Sequence, residues 1–294
     1  MFRNVLIGVD GSPTGRDAVA LAVALAEPDA RLTLVHVYGG VLTPGRTANA
    51  SLASSARAES ERLLEGEREL AGVRAELLSF CASSVGRGLH AVAEECHADL
   101  LVVGSNSRGL AGRVLVGDDT RASLNGASCA VAVAPRGYVA RGGGFLRIGV
   151  GYDLSPESRA ALAAARELAA RDDAKLSALY VATMPAWAYV AVMPANWGDI
   201  LEEDRKEAEE KIGGLEQVAV SAVYGLPVEE LASFGDRVDL LVVGSRNYGP
   251  VRRLVLGSTS GGLARHARCA LLVLPRAIAG AARHESVGES VAAA

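Results

Sequence analysis

The residues best placed for chemistry lie in one stretch of the second half. Asp239 precedes the apolar run Leu240-Leu241-Val242-Val243, which leads into Gly244-Ser245-Arg246-Asn247-Tyr248-Gly249 and, a short way on, Gly257-Ser258-Thr259-Ser260. An unbroken apolar run suits a strand buried on both faces of a parallel sheet. Gly244 and Gly257 would let backbone come close to a ligand, and Ser258 to Ala267 reads as a helix whose first N–H groups attract anions. Asn247 and the hydroxyls of Ser258, Thr259 and Ser260 add polar partners. The chemistry is recognition of a phosphate. An ordinary strand-to-helix turn with a serine cap would look the same, and Arg252 and Arg253 either lend charge to phosphates or lie on a solvated face.

The stretch occurs twice. Residues 99–105 read Asp-Leu-Leu-Val-Val-Gly-Ser, identical to residues 239–245. At the same spacing Gly109 matches Gly249, Arg113 matches Arg253, Gly117 matches Gly257, Cys129 matches Cys269 and Pro135 matches Pro275. The first copy's phosphate candidates are therefore Gly104, Ser107, Gly117 and Thr120. The openings of the halves repeat as well, with Val5 to Pro13 aligning with Ile148 to Pro156. Asp10 and Asp153 end those first strands, at the carboxyl edge where open α/β sheets take ligands. A carboxylate there accepts from ribose hydroxyls or an adenine amino group, or caps its own turn. A repeat of about 140 residues is domain-sized, so the chain is a tandem duplication.

Other chemistries find little support. The chain has only Lys175, Lys206 and Lys211, and no Gly-x-x-x-x-Gly-Lys-Ser/Thr motif, which argues against a Walker-type ATPase or a lysine-dependent kinase. His90, Glu94 and His97 share one helical face, a conceivable metal set, although exposed polar residues are the plainer reading. His36 reads as a core or rim histidine rather than a base. No Ser-His-Asp, Cys-His or paired-carboxylate constellation is recognisable.

The positioning elements follow from periodicity and caps. Residues 4–10 predict a strand; Ser12 caps a helix that Pro13 opens and Ala18 to Ala26 continues. A strand from Arg31 to Val37, a loop over 38–50, a helix over 51–71, a strand over 73–80 and a helix over 85–97 follow. Strand 99–103, a glycine loop and helix over 104–127, and strand Cys129 to Ala134 complete the half. The second half predicts strand 146–153, helix 156–171, strand 175–181, helix 199–213, strand 216–223, helix 226–235, strand 239–243, helix 258–267 and strand 269–274. This alternation predicts an α/β chain of two Rossmann-like, doubly wound parallel five-stranded sheets. Domain 1 spans 1–136 and domain 2 spans 146–276, joined by a linker over 137–145; 277–294 is expected to be a disordered tail. The loop from Met184 to Gly198 holds both tryptophans, Trp187 and Trp197, and reads as a lid, a partner surface or filler between domains.

Asp-x-Ser-Pro after the first strand and the spaced glycines after the fourth resemble the universal stress protein family, over roughly 2–135 and 145–276. The family's usual signature is Gly, two residues, Gly, nine residues, then Gly-Ser or Gly-Thr. Here the second glycine is replaced by Asn247 and Ser107, and Gly257-Ser258 becomes Gly117-Asp118 in the first half. The resemblance implies strand order 3-2-1-4-5, ATP as ligand, Asp10 and Asp153 at the nucleotide, and adenine held by backbone at Val37 and Val181. It also implies an internal pseudo-dimer through the fifth strands, Cys129 to Ala134 against Cys269 to Leu274, with a homodimer of tandem chains left open. The functional expectation is a nucleotide-binding stress or signalling module without obligatory turnover. The alternatives are a weak ATP hydrolase or nucleotidyl transferase of the same superfold, and a pseudo-dimer that binds no nucleotide.

Composition agrees with this outline. The 294 residues are 50% hydrophobic, mostly Ala, Val and Leu, with a net charge of −4 and mixed signs, so no nucleic-acid footprint shows. No run reaches the length of a membrane span, no signal peptide opens the chain, and four cysteines without metal spacing read as buried reduced thiols, which together predict a cytoplasmic protein. The halves are expected to be unequal. Where the second offers Ser258-Thr259-Ser260, the first offers Asp118-Asp119-Thr120, two acids that repel a triphosphate unless Mg²⁺ bridges them to it, or that simply face solvent.

Overall fold

The computed structural model describes residues 1–39, 50–105, 125–139, 144–183, 213–245 and 257–275, with Glu202, Glu203, Lys206, Glu209 and Glu210. In chain order the first half contains β1 (Phe2–Gly8), α1 (Pro13–Leu25), β2 (Ala26–Gly39), α2 (Ala50–Ala71), β3 (Glu76–Ala82), α3 (Val85–Glu95), β4 (Leu100–Gly104) and β5 (Ala130–Ala134). The second contains β6 (Arg147–Gly151), α4 (Pro156–Asp172), β7 (Lys175–Ala182), β8 (Ala219–Tyr224), α5 (Pro227–Phe234), β9 (Leu240–Gly244), α6 (Ser258–His266) and β10 (Ala270–Leu274). Within the predicted 199–213 helix, Glu202, Glu203, Lys206, Glu209 and Glu210 are helical and Gly213 lies in a turn. The predicted 104–127 helix lies largely outside the described residues, as do the tryptophan-bearing loop and the expected tail.

Local chemistry explains the starts of α1 and α4. Ser12 is extended and its hydroxyl accepts from the Gly15 N–H, with Pro13 in the first turn. Ser155 repeats the arrangement toward the Ser158 N–H, followed by Pro156 and an Ala-rich run. β2 departs from expectation by starting at Ala26, directly after α1, where Ala26 pairs with Phe2 before a register shift. Residues 27–30, between the predicted helix and the predicted strand, belong to the strand.

The strands form one ten-stranded sheet in the order β3-β2-β1-β4-β5-β10-β9-β6-β7-β8. Each half thus keeps the order 3-2-1-4-5, and the halves share a sheet rather than carrying separate ones. All pairs are parallel except β5 with β10, which run antiparallel with Leu272 opposite Ala132. Alternate residues of each buried strand supply two cores. Leu240 and Val242 belong to the core on the face covered by α1, α2 and α4, while Leu241 and Val243 belong to the core on the face covered by α3, α5 and α6. Both cores run across both halves.

Three polar devices hold this frame. Asp99 accepts from the N–H groups of Arg3 and Asn4 at 2.8 and 3.1 Å, and Asp239 does the same for Leu146 and Arg147 at 3.1 and 2.9 Å. The acid ahead of each apolar run is therefore a clasp on the first strand. Burial raises the Asp99 carboxyl above its ordinary range, and the donated N–H bonds only partly offset it. Asp17, 3% exposed, accepts from the Gly137 and Val139 N–H groups and fastens the chain leaving β5. Arg171 of α4 donates to the carbonyls of Ala24, Leu25 and Ala26 at the end of α1, joining the halves.

The expected linker is anchored at both ends, since Phe145 is 1% exposed within the core. Cys129 and Cys269 are buried as expected, and burial pushes the Cys129 thiol up to about 12. Cys81 departs from expectation, lying exposed on β3. Among the described residues no helix is long and apolar enough to cross a membrane.

The seam and the shared cores predict cooperative unfolding. Leu272→Ala should cost about 2–5 kcal/mol and shift a single urea transition for the whole chain. Two separated transitions, with only the second-half one moved, would show that the halves fold independently.

Candidate functional site

The carboxyl ends of β6, β7 and β9 surround a cleft of ≈ 420 Å³, a size suited to a small organic ligand. Gly151, Tyr152 and Asp153 form its floor beyond β6, and Leu179, Tyr180, Val181 and Thr183 form the wall along β7. Opposite stand Val243, Gly244 and Ser245 at the end of β9, with Gly257, Thr259 and Ser260 at the start of α6. Pro227 and Leu231 of α5 and the first turn of α4, Ser155 to Ser158, close the sides.

The site is built by its turns. Asp153 Oδ1 accepts the Ser155 N–H at 3.1 Å and the Ser155 hydroxyl, while the Ser155 oxygen caps α4 by accepting the Ser158 N–H at 3.1 Å. Burial works to raise this carboxyl, but the bonds from Ser155 and Ser158 outweigh it and hold Asp153 below the usual carboxylate range. Asp10 repeats the turn, accepting from the Ser12 N–H at 3.0 Å and the Ser12 hydroxyl. Both acids thus cap their turns. The residue between acid and serine takes a left-handed backbone in both halves, easily at Gly11 (φ 77) and with strain at Leu154 (φ 65).

Gly244 proves to be a packing residue as well as a wall of the cleft. A Cβ there would stand 2.7 Å from Glu157 Cβ and 2.8 Å from the Glu157 backbone. At Gly104 it would stand 2.2 Å from the Thr14 carbonyl oxygen. The first turn of the helix after the first strand therefore lies directly on the fourth strand's glycine. At α6, Gly257 is the N-cap and donates its N–H to the Ser260 hydroxyl at 3.0 Å, with Ser260 3% exposed. The remaining first-turn N–H groups point outward from such a start, toward the positive end of the helix dipole.

Six sequence-nominated residues meet at this cleft: Asp153, Val181, Gly244, Gly257, Thr259 and Ser260. Ser258 is exposed and does not line it. Asn247, Arg252 and Arg253 lie outside the described residues. In the first half Asp10, Val37 and Gly104 hold the equivalent positions, and Val37 turns its side chain onto Gly88 of α3. Ser107, Gly117, Asp118, Asp119 and Thr120 lie outside the described residues. Sequence reasoning missed Glu157, Tyr180, Thr183 and Leu231. Glu157 had a legible signal, following a Ser-Pro helix start at a sheet's carboxyl edge; Leu231 had none.

The other nominated chemistry does not assemble. α3 ends at Glu95, so His97, in a left-handed conformation, leaves the face of His90 and Glu94. Among the described residues no group of three His, Cys, Asp or Glu side chains could hold a metal ion. His36 lies 2.8 Å from the Ser60 hydroxyl, which also accepts from Ser79, and burial lowers the imidazole's pKa despite Asp10 and Glu59. It is a packed core-rim histidine.

A sequence model described as Universal stress protein family matches residues 1–135 and again 144–275. A universal stress protein of Mycobacterium tuberculosis is 29% identical over 235 residues, covering 76% of this chain and 80% of the relative. One of Mycolicibacterium smegmatis is 28% identical over 293 residues, covering 92% and 96%. Among solved structures, a universal stress protein from Archaeoglobus fulgidus superposes with a TM-score of 0.63 at 19% identity, covering 93% of this chain and 98% of that one, a likeness of fold.

Two measurements test the site's construction. Gly104→Ala and Gly244→Ala should each destabilise the chain by about 1–3 kcal/mol or more in urea melts without ligand, the former more strongly. Unchanged stability would mean the helix starts do not rest on these glycines. Asp153, lowered in the folded state, contributes stability that is complete above its unfolded value and lost as pH falls through the folded one. The gap between parent and Asp153→Asn should hold steady down to about pH 5 and close below about pH 4, whereas a gap constant to about pH 2.5 would remove the charge from the argument.

Proposed function

The chain belongs to the universal stress protein family, and on that premise we propose that its second half binds an adenine nucleotide, ATP, as a stress-response or signalling module whose occupancy rather than turnover carries the signal. The observation supporting this is the convergence, on one cleft of ≈ 420 Å³, of residues nominated from four separate parts of the sequence. Asp153 would take the ribose, backbone at Val181 the adenine, and Gly257 with the start of α6 the phosphates. Asp153 follows β6, which lies between β7 with Val181 and β9, so the residues nominated for ribose, adenine and phosphates come from different elements around the cleft. The first half would bind more weakly through Asp10, Val37 and Gly104. Binding without obligatory chemistry is favoured because the described lining contains no lysine or histidine to serve as acid, base or phosphate clamp.

Denaturing freshly purified protein and weighing the released small molecules should yield an adenine nucleotide. Gly257→Val should weaken ATP binding by the second half about tenfold or more, equivalent to roughly 1.4 kcal/mol. Binding as tight as the parent's would overturn the phosphate placement, and no adenine ligand under any condition would overturn the function.

A further inference from the structure

We propose that His36, Ser60 and Ser79 form a proton-operated relay, a pH-sensing device built into the first of the two repeats and not the second. Three elements meet at this point. His36 stands on β2, Ser79 beside it on β3, and Ser60 on α2, which packs across both strands. Ser79 donates to the Ser60 hydroxyl at 2.6 Å, and the Ser60 hydroxyl stands 2.8 Å from His36 Nδ1. Ser60 is 1% exposed, so its own hydrogen has no water to turn to and goes to Nδ1. Nδ1 is then an acceptor, and the neutral ring carries its hydrogen on Nε2.

A proton taken from water by the half-buried His36 turns Nδ1 into a donor. Ser60 then accepts from both sides, and a buried hydroxyl with no acceptor for its hydrogen is costly. The relay answers by reversing: Nδ1 donates to Ser60, Ser60 donates to Ser79, and half-buried Ser79 turns its hydrogen outward. Asp10, from the turn after β1, and Glu59, from α2, favour the imidazolium; from β3 the facing group is neutral Ser79. Burial outweighs the two acids and holds the ring below the usual histidine range. In the second half the paired positions are Tyr180 and Ala222 where the first has His36 and Ser79, and neither titrates near neutral pH. A ring held low in the fold leaves the unfolded chain the stronger proton binder. Its contribution to stability is therefore complete above the unfolded value, about 6.5, and is lost as pH falls from there through the folded value.

The test is NMR of the ring nitrogens in the full chain without ligand, with the His36 ring assigned through its own backbone. At high pH the ring should be the Nε2–H tautomer, and it should titrate below the ordinary histidine value. Ser60→Ala should move that titration upward, because the bond that favours the neutral ring is gone. His36→Asn keeps an acceptor for Ser60 and does not titrate. In urea melts the parent's midpoint should fall relative to that variant's between about pH 7.5 and about pH 5.5. An Nδ1–H tautomer at high pH, or titration at or above the ordinary value, would overturn the inference. So would a titration that Ser60→Ala leaves in place, or a midpoint gap constant over that range. If a variant fails to fold, the parent's tautomer and titration decide alone.

Discussion

In each half, the backbone of a helix's first turn lies where a side chain on the fourth strand would have to stand. The Thr14 carbonyl oxygen is 2.2 Å from the place of a Cβ on residue 104, and the Glu157 backbone is 2.8 Å from that of residue 244. Interiors this tightly packed give little room for adjustment, so no other residue fits without moving the helix. That close approach seats α1 and α4 and thereby aims the Ser12 and Ser155 caps. The caps in turn fix Asp10 and Asp153 at the sheet's carboxyl edge. The crevice in the second half lies between the first turn of α4, drawn in this close, and the start of α6 at Gly257.

Much of the fold was legible because parallel strands buried on both faces leave continuous apolar runs. Leu240 to Val243 and Leu100 to Val103 could hardly be anything else, and the Ser-Pro pairs marked two helix starts to the residue. Where the reading slipped, tertiary pairing overrode local preference. Ala26 to Ala30 carries turn-forming residues, yet Ala26 is paired with Phe2 and the strand begins there. The site was legible in its turns and not in its walls. Asp153 and Gly257 announce themselves by neighbours in sequence, whereas Leu231 reaches the cleft only because α5 packs across β7. Gly244 was singled out for the close approach of a ligand, and the backbone that approaches it is the protein's own.

The halves share a plan and differ in detail. Gly11 takes a left-handed backbone freely, while Leu154 takes the same conformation against its preference and packs against the core in exchange. Such a residue persists only where its surroundings determine it completely, and it sits directly beside Asp153. His36 faces Ser60 on one side of the duplication, and its counterpart Tyr180 lines the cleft on the other.

The antiparallel pairing of β5 with β10 has a consequence for how such a chain can change. Two separate copies meeting through their fifth strands would be held by mass action, and their assembly would weaken on dilution. Within one chain the partner strand is always present at a high effective concentration, whatever the protein's abundance. Substitutions in one half then never have to be compatible with an identical copy of themselves. A fused pair can specialise, one crevice drifting while the other is kept, and the sheet between them stays whole.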